Sequence, residues 1–565
     1  MLRYAGGWCE NRAPRCRLNT ERDVVKVGIY NQWLHTMGGG ERHMGKAAEV
    51  LASLGHSVEF ITHRPVSRDA LVQKLHLNLE GVAIRVVPLL PWNQLAEYSA
   101  EYDLFINGSF LSVVPSRARW SVLFILFPFP LDTSPQGQFK RWLAGHLRRE
   151  LLVPKYTEGF FGPEELGGSR FRWTAGQGEV ILPALRRGRS CPIRLVVGSF
   201  RPSGTPPVPV QICAQRGSEW QQIAGFDVAT TPGNYVTLDC TAPDWATASG
   251  QLRLRIDSPT FRPQEALDDP DDFRDSGVAV ARVMVPHLRH WLYELVFERL
   301  VPELGARLHG LPDLRAMTYI QTYDLLLPIS EFSQHWLQRY WGLPGQILYP
   351  PVYVEDVVDR PKQPIILGVG RFFDRSHNKR HDILIRAFRQ LTRGGLKGWE
   401  LHLVGSIEPG RQHARYFERL QRLAQDWPIR FHVDPPFAEL RKLYEEASLY
   451  WHATGYGERE DRNPIRFEHF GITPVEAMAA GCIPGVLAKG ALTETVEDGN
   501  SGFLWRSIGE LVERSREVID DPALAQRLRA GAKARATVFS DDTFRFRLTA
   551  LLSELTDGAV GSASQ

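Results

Sequence analysis

"FEHFGITPVEAMAAGCIPG" (residues 467–485) places two glutamates, Glu468 and Glu476, eight positions apart around a glycine and a proline. Pro474 suits the first position of a helix, where a missing N–H costs nothing. Thr473 is a good N-cap, and Thr-Pro-Val-Glu reads as a capping box in which Glu476 reaches back to the Thr473 amide. The helix then runs through Ala477–Ala480 and stops at Gly481. Glu476 therefore has a structural reading as a cap, whereas Glu468, in the loop with Phe467, His469 and Phe470, has none. The amide-rich start of such a helix favours an anion, and phosphate above all. A phosphate between two carboxylates needs cations from elsewhere in the chain.

Working outward, strands and helices alternate on both sides of this stretch. "VVKVGIY" (24–30) reads as a buried strand, "NQWLHTMGGGER" (31–42) as a loop, and a helix is expected from about Glu41 to Leu54, with Gly55 ending it. Gly38, Gly39 and Gly40 stand at its entrance, either as a tight turn or as backbone that a ligand can approach. They do not form the G-x-G-x-x-G dinucleotide fingerprint. From about 154 to 288 the helical period gives way to eight short β-rich runs, from "RFRWTAG" to "GVAVARVMV", with Gly, Pro and Asp between them. That spacing predicts a β-sandwich inserted in the first α/β domain. "YPPVYVEDVVDRPKQP" (349–364) suits an interdomain linker. After it the alternation resumes, as expected of a parallel sheet with both faces covered.

The expected organisation is an α/β protein of two doubly wound domains facing a cleft. It comprises a disordered lead-in (1–22), an N-terminal domain in two parts (23–153 and 289–355), the inserted sandwich (154–288), a C-terminal domain (356–555) and a disordered tail (556–565). Ligands in such folds sit at the carboxyl ends of the strands. The near-balanced charge of +3 gives no field for nucleic acid. The six cysteines show neither zinc-type spacing nor a disulfide framework. No signal peptide or membrane span is legible, so the expected location is cytoplasmic. No clear basic amphipathic helix stands out either.

"GVGRFFDRSHNKRHD" (368–382) supplies the missing cations. Arg371 follows a strand, and Lys379 and Arg380 lie shortly after it; an Arg and a Lys there can clamp a diphosphate, or be a solvated basic loop. With "MGGGER", "YPPV", "LHLVG", "WHATGYG" and "TETVEDGNSGFLW" in the same order along the chain, the sequence resembles the retaining family-4 glycosyltransferases of the GT-B fold. The resemblance covers about 400 of the 565 residues and leaves out the sandwich, which resembles a carbohydrate-binding jelly roll.

The resemblance implies a nucleotide-sugar donor and no metal or other cofactor. Arg371 and Lys379 would grip the donor diphosphate, and Glu468 would face the donor sugar. His469, Phe470, Gly471, Ile472 and Thr473 would meet sugar and phosphate, Glu476 would hold the ribose, and Gly38, Gly39 and Gly40 would let the first domain close. The implied acceptor is a glycan or lipid-linked glycan, and a lipid acceptor would bring peripheral contact with the inner membrane face. Two positions depart from the family pattern. Leu126, in "FILFPFP", stands where relatives carry a sugar-contacting His, and Ile329 precedes Ser330 where relatives often carry Asn. The acidic run "DDPDDF" (268–273) reads as a solvated loop or a calcium site in the sandwich. The competing class is a non-catalytic glycan-binding protein on a degenerate GT-B scaffold.

Overall fold

The computed structural model describes residues 24–558 apart from short stretches at 132–134, 167–168, 203, 230–233, 264–271, 273, 302–314, 355–356, 375–377 and 408–410. The expected lead-in and most of the acidic run lie outside the described residues. The N-terminal sheet contains β1 (Lys26–Tyr30), β2 (Ser57–Thr62), β3 (Ala83–Val86), β4 (Leu104–Asn107), β5 (Trp120–Ile125) and β16 (Leu325–Pro328). Their order is β16-β5-β4-β1-β2-β3, and every pairing is parallel. Continuous apolar runs form these strands because helices bury both faces; every residue of β5 is buried. The C-terminal sheet contains β17 (Gln363–Val369), β18 (Glu400–Gly405), β19 (Ile429–Val433), β20 (Ala447–His452), β21 (Ile483–Leu487) and β22 (Phe503–Trp505). It is also all parallel, ordered β19-β18-β17-β20-β21-β22.

Between β5 and β16 the chain leaves the first sheet and returns beside the strand it left, with Val122 opposite Leu325. The intervening chain forms two antiparallel five-stranded sheets. All eight β-rich runs are strands, and two short ones, Lys155–Tyr156 and Glu164–Leu166, join them. Alternation is clean where one face is inward: Gln251–Asp257 reads exposed, buried, exposed, buried, with Leu252, Leu254 and Ile256 inside. These side chains share a core with Val180, Leu195, Val210 and Val280 from both sheets.

Two features tie the α/β domains together. Helix Asp541–Gly558, placed by the sequence reading at the end of the C-terminal domain and in the tail, buries Phe544, Leu548 and Leu551 among Val27, Ile29 and Phe124 of the N-terminal sheet. On the way there Val352 pairs with Ser540, so the proline-rich segment and the returning chain cross side by side. Glu494 then crosses from one domain to the other. Its carboxylate accepts the Glu331 and Phe332 amides at 2.7 and 3.0 Å and the Tyr349 hydroxyl at 3.0 Å. It thereby satisfies orphan amides at the start of helix Glu331–Trp341. Burial pushes its carboxyl pKa up, against the pull of those donors.

Candidate functional site: the cleft between two helix starts

Helix Gly39–Ser53 begins at the carboxyl end of β1, one turn of loop later. Gly38 is its N-cap, and Glu41 closes the turn by accepting the Gly38 amide at 2.8 Å and the Thr36 hydroxyl at 3.0 Å. Helix Ile472–Ala479 begins at the corresponding edge of the C-terminal sheet. The first residues of the two helices meet: a Cβ on Gly39 would lie 2.6 Å from Ile472 Cδ1. A Cβ on Gly40 would lie 3.0 Å from Leu126 Cδ2. The glycines are therefore a close-approach surface, and Leu126 occupies the floor beneath them. Two helix starts are thus neighbours here, and a helix N-terminus favours a phosphate.

One cation and one carboxylate come together on the C-terminal side. Lys379 Nζ donates to Glu468 Oε2 at 2.6 Å, joining residues 89 positions apart. Lys379 packs over Gly370, whose added Cβ would fall 2.5 Å from its Cγ. That fixes the lysine beside the end of β17, next to Arg371. Arg371 is exposed, with its guanidinium 5.0 Å from the Phe373 ring. Arg380 does something else. It caps helix His381–Arg393 in a left-handed conformation (φ 53°), and its side chain bonds Asp382 and the Tyr456 carbonyl.

His452, at the end of β20, was not singled out from the sequence. It is buried, and its Nε2 lies 3.1 Å from Glu468 Oε2. Burial lowers its pKa despite the neighbouring carboxylate, so a neutral ring donates from Nε2 to Glu468. Glu468 is thus held by a lysine and an imidazole. The signal was its place in "WHATGYG", after a strand; the partner lies 16 residues away and could not be read locally.

The expected capping box does not form. Gly471, at φ 94°, turns the chain into the helix two residues early, so the N-cap is Gly471 and not Thr473. A Cβ at Gly471 would also meet Leu492 at 2.9 Å. Thr473 now sits inside the first turn, with its hydroxyl bonded to Tyr450 Oη at 2.8 Å. Glu476, one turn in, cannot reach back; its Oε2 accepts the Tyr444 hydroxyl at 3.0 Å. Burial raises the Glu476 pKa, while Arg42 from the first domain and Tyr444 pull it down. The end of the helix is as expected, with Gly481 left-handed at φ 74°.

His469 and Phe470 both make aromatic contacts. The His469 ring stacks on Phe127 of the first domain at 4.3 Å and 16°. Phe470 packs against Tyr349 and Phe539, where the chain crosses between domains. Their side chains pack between the domains. Arg42, also missed in the sequence reading, bonds the Pro351 carbonyl at 2.6 Å and Asp541 at 3.4 Å. Among the described residues no cluster of three or more His, Cys, Asp or Glu could hold a metal ion.

Residues 354–535 match the family model of the glycosyl transferases group 1. Among curated proteins, the chain is 27% identical over 257 residues to the human GDP-Man:Man(3)GlcNAc(2)-PP-Dol alpha-1,2-mannosyltransferase, covering 41% of this chain and 49% of that one. It is 32% identical over 204 residues to D-inositol 3-phosphate glycosyltransferase 1 of Catenulispora acidiphila, covering 35% and 46% respectively. The chain thus spans about half the length of the curated relatives it matches. Among solved structures, Anabaena Alr3699/HepE in complex with UDP superposes with a TM-score of 0.50 at 13% identity, over 94% of this chain and all of that one. Residues 354–535 are thus similar to the glycosyl transferases group 1, and the two parallel sheets are arranged as in a GT-B fold.

Proposed function

We propose that the protein transfers a sugar from a nucleotide-diphosphate donor to a glycan or glycan-lipid acceptor, with retention of anomeric configuration. The observation that carries this reading is the Lys379–Glu468 pair, set beside the meeting point of two helix starts. The relatives point the same way: the human one is named for GDP-Man and a PP-Dol-linked glycan. In the resting cleft the lysine and the glutamate neutralise each other. A bound diphosphate would take over the lysine and free the carboxylate for sugar hydroxyls. Glu476 would then bind the ribose hydroxyls, with Tyr444 holding its carboxylate in place. The cellular role that fits is synthesis of a cell-surface polysaccharide or glycoconjugate.

The chemistry proposed is a same-face substitution. The acceptor oxygen bonds to the anomeric carbon as the bond to the diphosphate oxygen breaks, and the acceptor proton passes to that departing oxygen. Arg371, Lys379 and the amides of helix Ile472–Ala479 stabilise the charge that builds on the leaving group. The Leu126 side chain can supply neither a proton nor a hydrogen bond, which is consistent with the diphosphate taking the proton. Closure of the Gly38–Gly40 turn over the donor aligns the reactants and excludes water. Side-chain cations and the helix end supply the positive charge, so no metal requirement is expected. Nucleotide release in the presence of donor, acceptor and a chelator, with the product read by proton NMR, tests the proposal. An inverted anomeric centre, or activity lost to chelation and restored by a divalent ion, would contradict the mechanism.

A further inference from the structure

Helix Pro135–Glu150 wears its apolar side outward. Phe139, Trp142 and Leu143 are 59%, 63% and 40% exposed, and His146 is exposed beside them. Positions 139, 142, 143 and 146 follow the i, i+3, i+4, i+7 spacing of one helical face. Their rings are already stacked: Phe139 on Trp142 at 5.8 Å, and Trp142 on His146 at 5.9 Å and 9°. The opposite face is what anchors the helix, with Ala144 and Leu147 packed against Tyr293 and Phe297. The element it packs on repeats the feature, with Leu288 and Trp291 66% and 53% exposed.

The charge around this stripe selects its partner. The helix carries Lys140, Arg141, Arg148 and Arg149 against Glu150, a net +3 in one short element and equal to the net charge of the whole chain. On the neighbouring element Arg289 and Arg299 are balanced by Glu294 and Glu298, so the excess positive charge belongs to the helix itself. The exposed cations are Lys140 and Arg149, since guanidinium nitrogens of Arg141 and Arg148 are buried. An aromatic stripe flanked by such cations suits the boundary of an anionic bilayer, where Trp and Phe enter the headgroup region and Lys and Arg meet lipid phosphates. At 16 residues the helix would lie in the plane of the surface; among the described residues no helix is long and apolar enough to cross a membrane. The sequence reading had found no basic amphipathic helix, because this stripe is broken by glycines and interleaved with arginines.

We infer that helix Pro135–Glu150 is a docking surface for an anionic lipid bilayer. The helix follows β5, whose carboxyl end carries Leu126 and Phe127 into the cleft. Docking there would bring the chain to the surface that presents a lipid-linked acceptor. That acceptor rests on the function proposed above; the lipid binding itself does not.

The test is flotation of the full chain with phosphatidylcholine vesicles, with and without about 30 mol% phosphatidylglycerol, at roughly 0.1 M salt. The wild type is expected to float with the anionic vesicles only. Both the Phe139→Ser/Trp142→Ser and the Lys140→Glu/Arg149→Glu variants are expected to bind them at least about tenfold more weakly. Nucleoside diphosphate binding in solution should be the same in all three proteins, which shows that the variants are folded. Absence of nucleotide binding in all of them would count against the transferase reading while leaving the lipid result to stand. Equal flotation on neutral vesicles, wild-type flotation by either variant, or a wild-type dimer that Trp142→Ser turns into a monomer without any vesicle binding would overturn the inference.

Discussion

Glu476 is the residue whose role changes most between its local sequence and its surroundings. Its spacing from Thr473 fits a capping box, yet its carboxylate is held by Tyr444, 32 positions away, and feels Arg42 from the other domain. Glu476→Gln keeps an acceptor for Tyr444 and loses the charge. It should leave the melting temperature nearly unchanged and weaken nucleotide binding by about 1.5–3 kcal/mol, the range for a hydrogen bond to a charged group. Calorimetry beside a melting curve separates this from a purely structural role, which would shift only the melt. His43 gives a pH prediction. It is buried between Phe124 and Phe544, its Nε2 has no hydrogen-bond partner, and desolvation, reinforced by Arg42, lowers its pKa to about 3. The unfolded chain therefore binds this proton first, and stability is lost as pH falls below the unfolded value near 6.5 toward 3. Each pH unit in that window costs up to about 1.4 kcal/mol. Denaturant titrations at pH 7.5 and 5.5 should show a smaller loss for His43→Leu than for the wild type.

Individual strands were legible wherever the side-chain pattern is local. Apolar runs marked parallel strands such as Lys26–Tyr30 but not the short Leu104–Asn107 or Phe503–Trp505, and alternation with turn residues marked the eight longer strands of the insertion. What could not be read was the start of helix Ile472–Ala479, which is set by a left-handed glycine wedged against Leu492. The His452–Glu468 contact and the return of helix Asp541–Gly558 to the first sheet were hidden for the same reason: both are made by residues far apart in the chain. The meeting of two helix starts makes its own prediction. A side chain at Gly39 must displace Ile472, so Gly39→Val should hold the cleft open and lower kcat/KM by about 10²-fold, the cost of a displacement near 1 Å. Gly39→Val with Ile472→Ala should recover part of that loss. A double variant as impaired as the single one would mean that the glycine serves only its own turn.

The two α/β domains and the insertion stand differently with respect to one another. The α/β domains share a helix, the Glu494 contact and a paired crossing. The insertion closes its own core between two antiparallel sheets, with Leu152 at its base. A fragment spanning residues 150–288 is therefore expected to unfold cooperatively by itself, with sharp amide dispersion by NMR; a molten fragment would mean that its core depends on the rest of the chain. The central claim concerns the cleft, and titration calorimetry with UDP and with GDP tests it most directly. The account predicts that the wild type binds at least one of the two and that Arg371→Ala/Lys379→Ala weakens that binding by about 3 kcal/mol or more, since each charge-assisted bond contributes roughly 1.5–3 kcal/mol. A folded double variant that binds as tightly as the wild type, or a wild type that binds neither nucleotide, would contradict it.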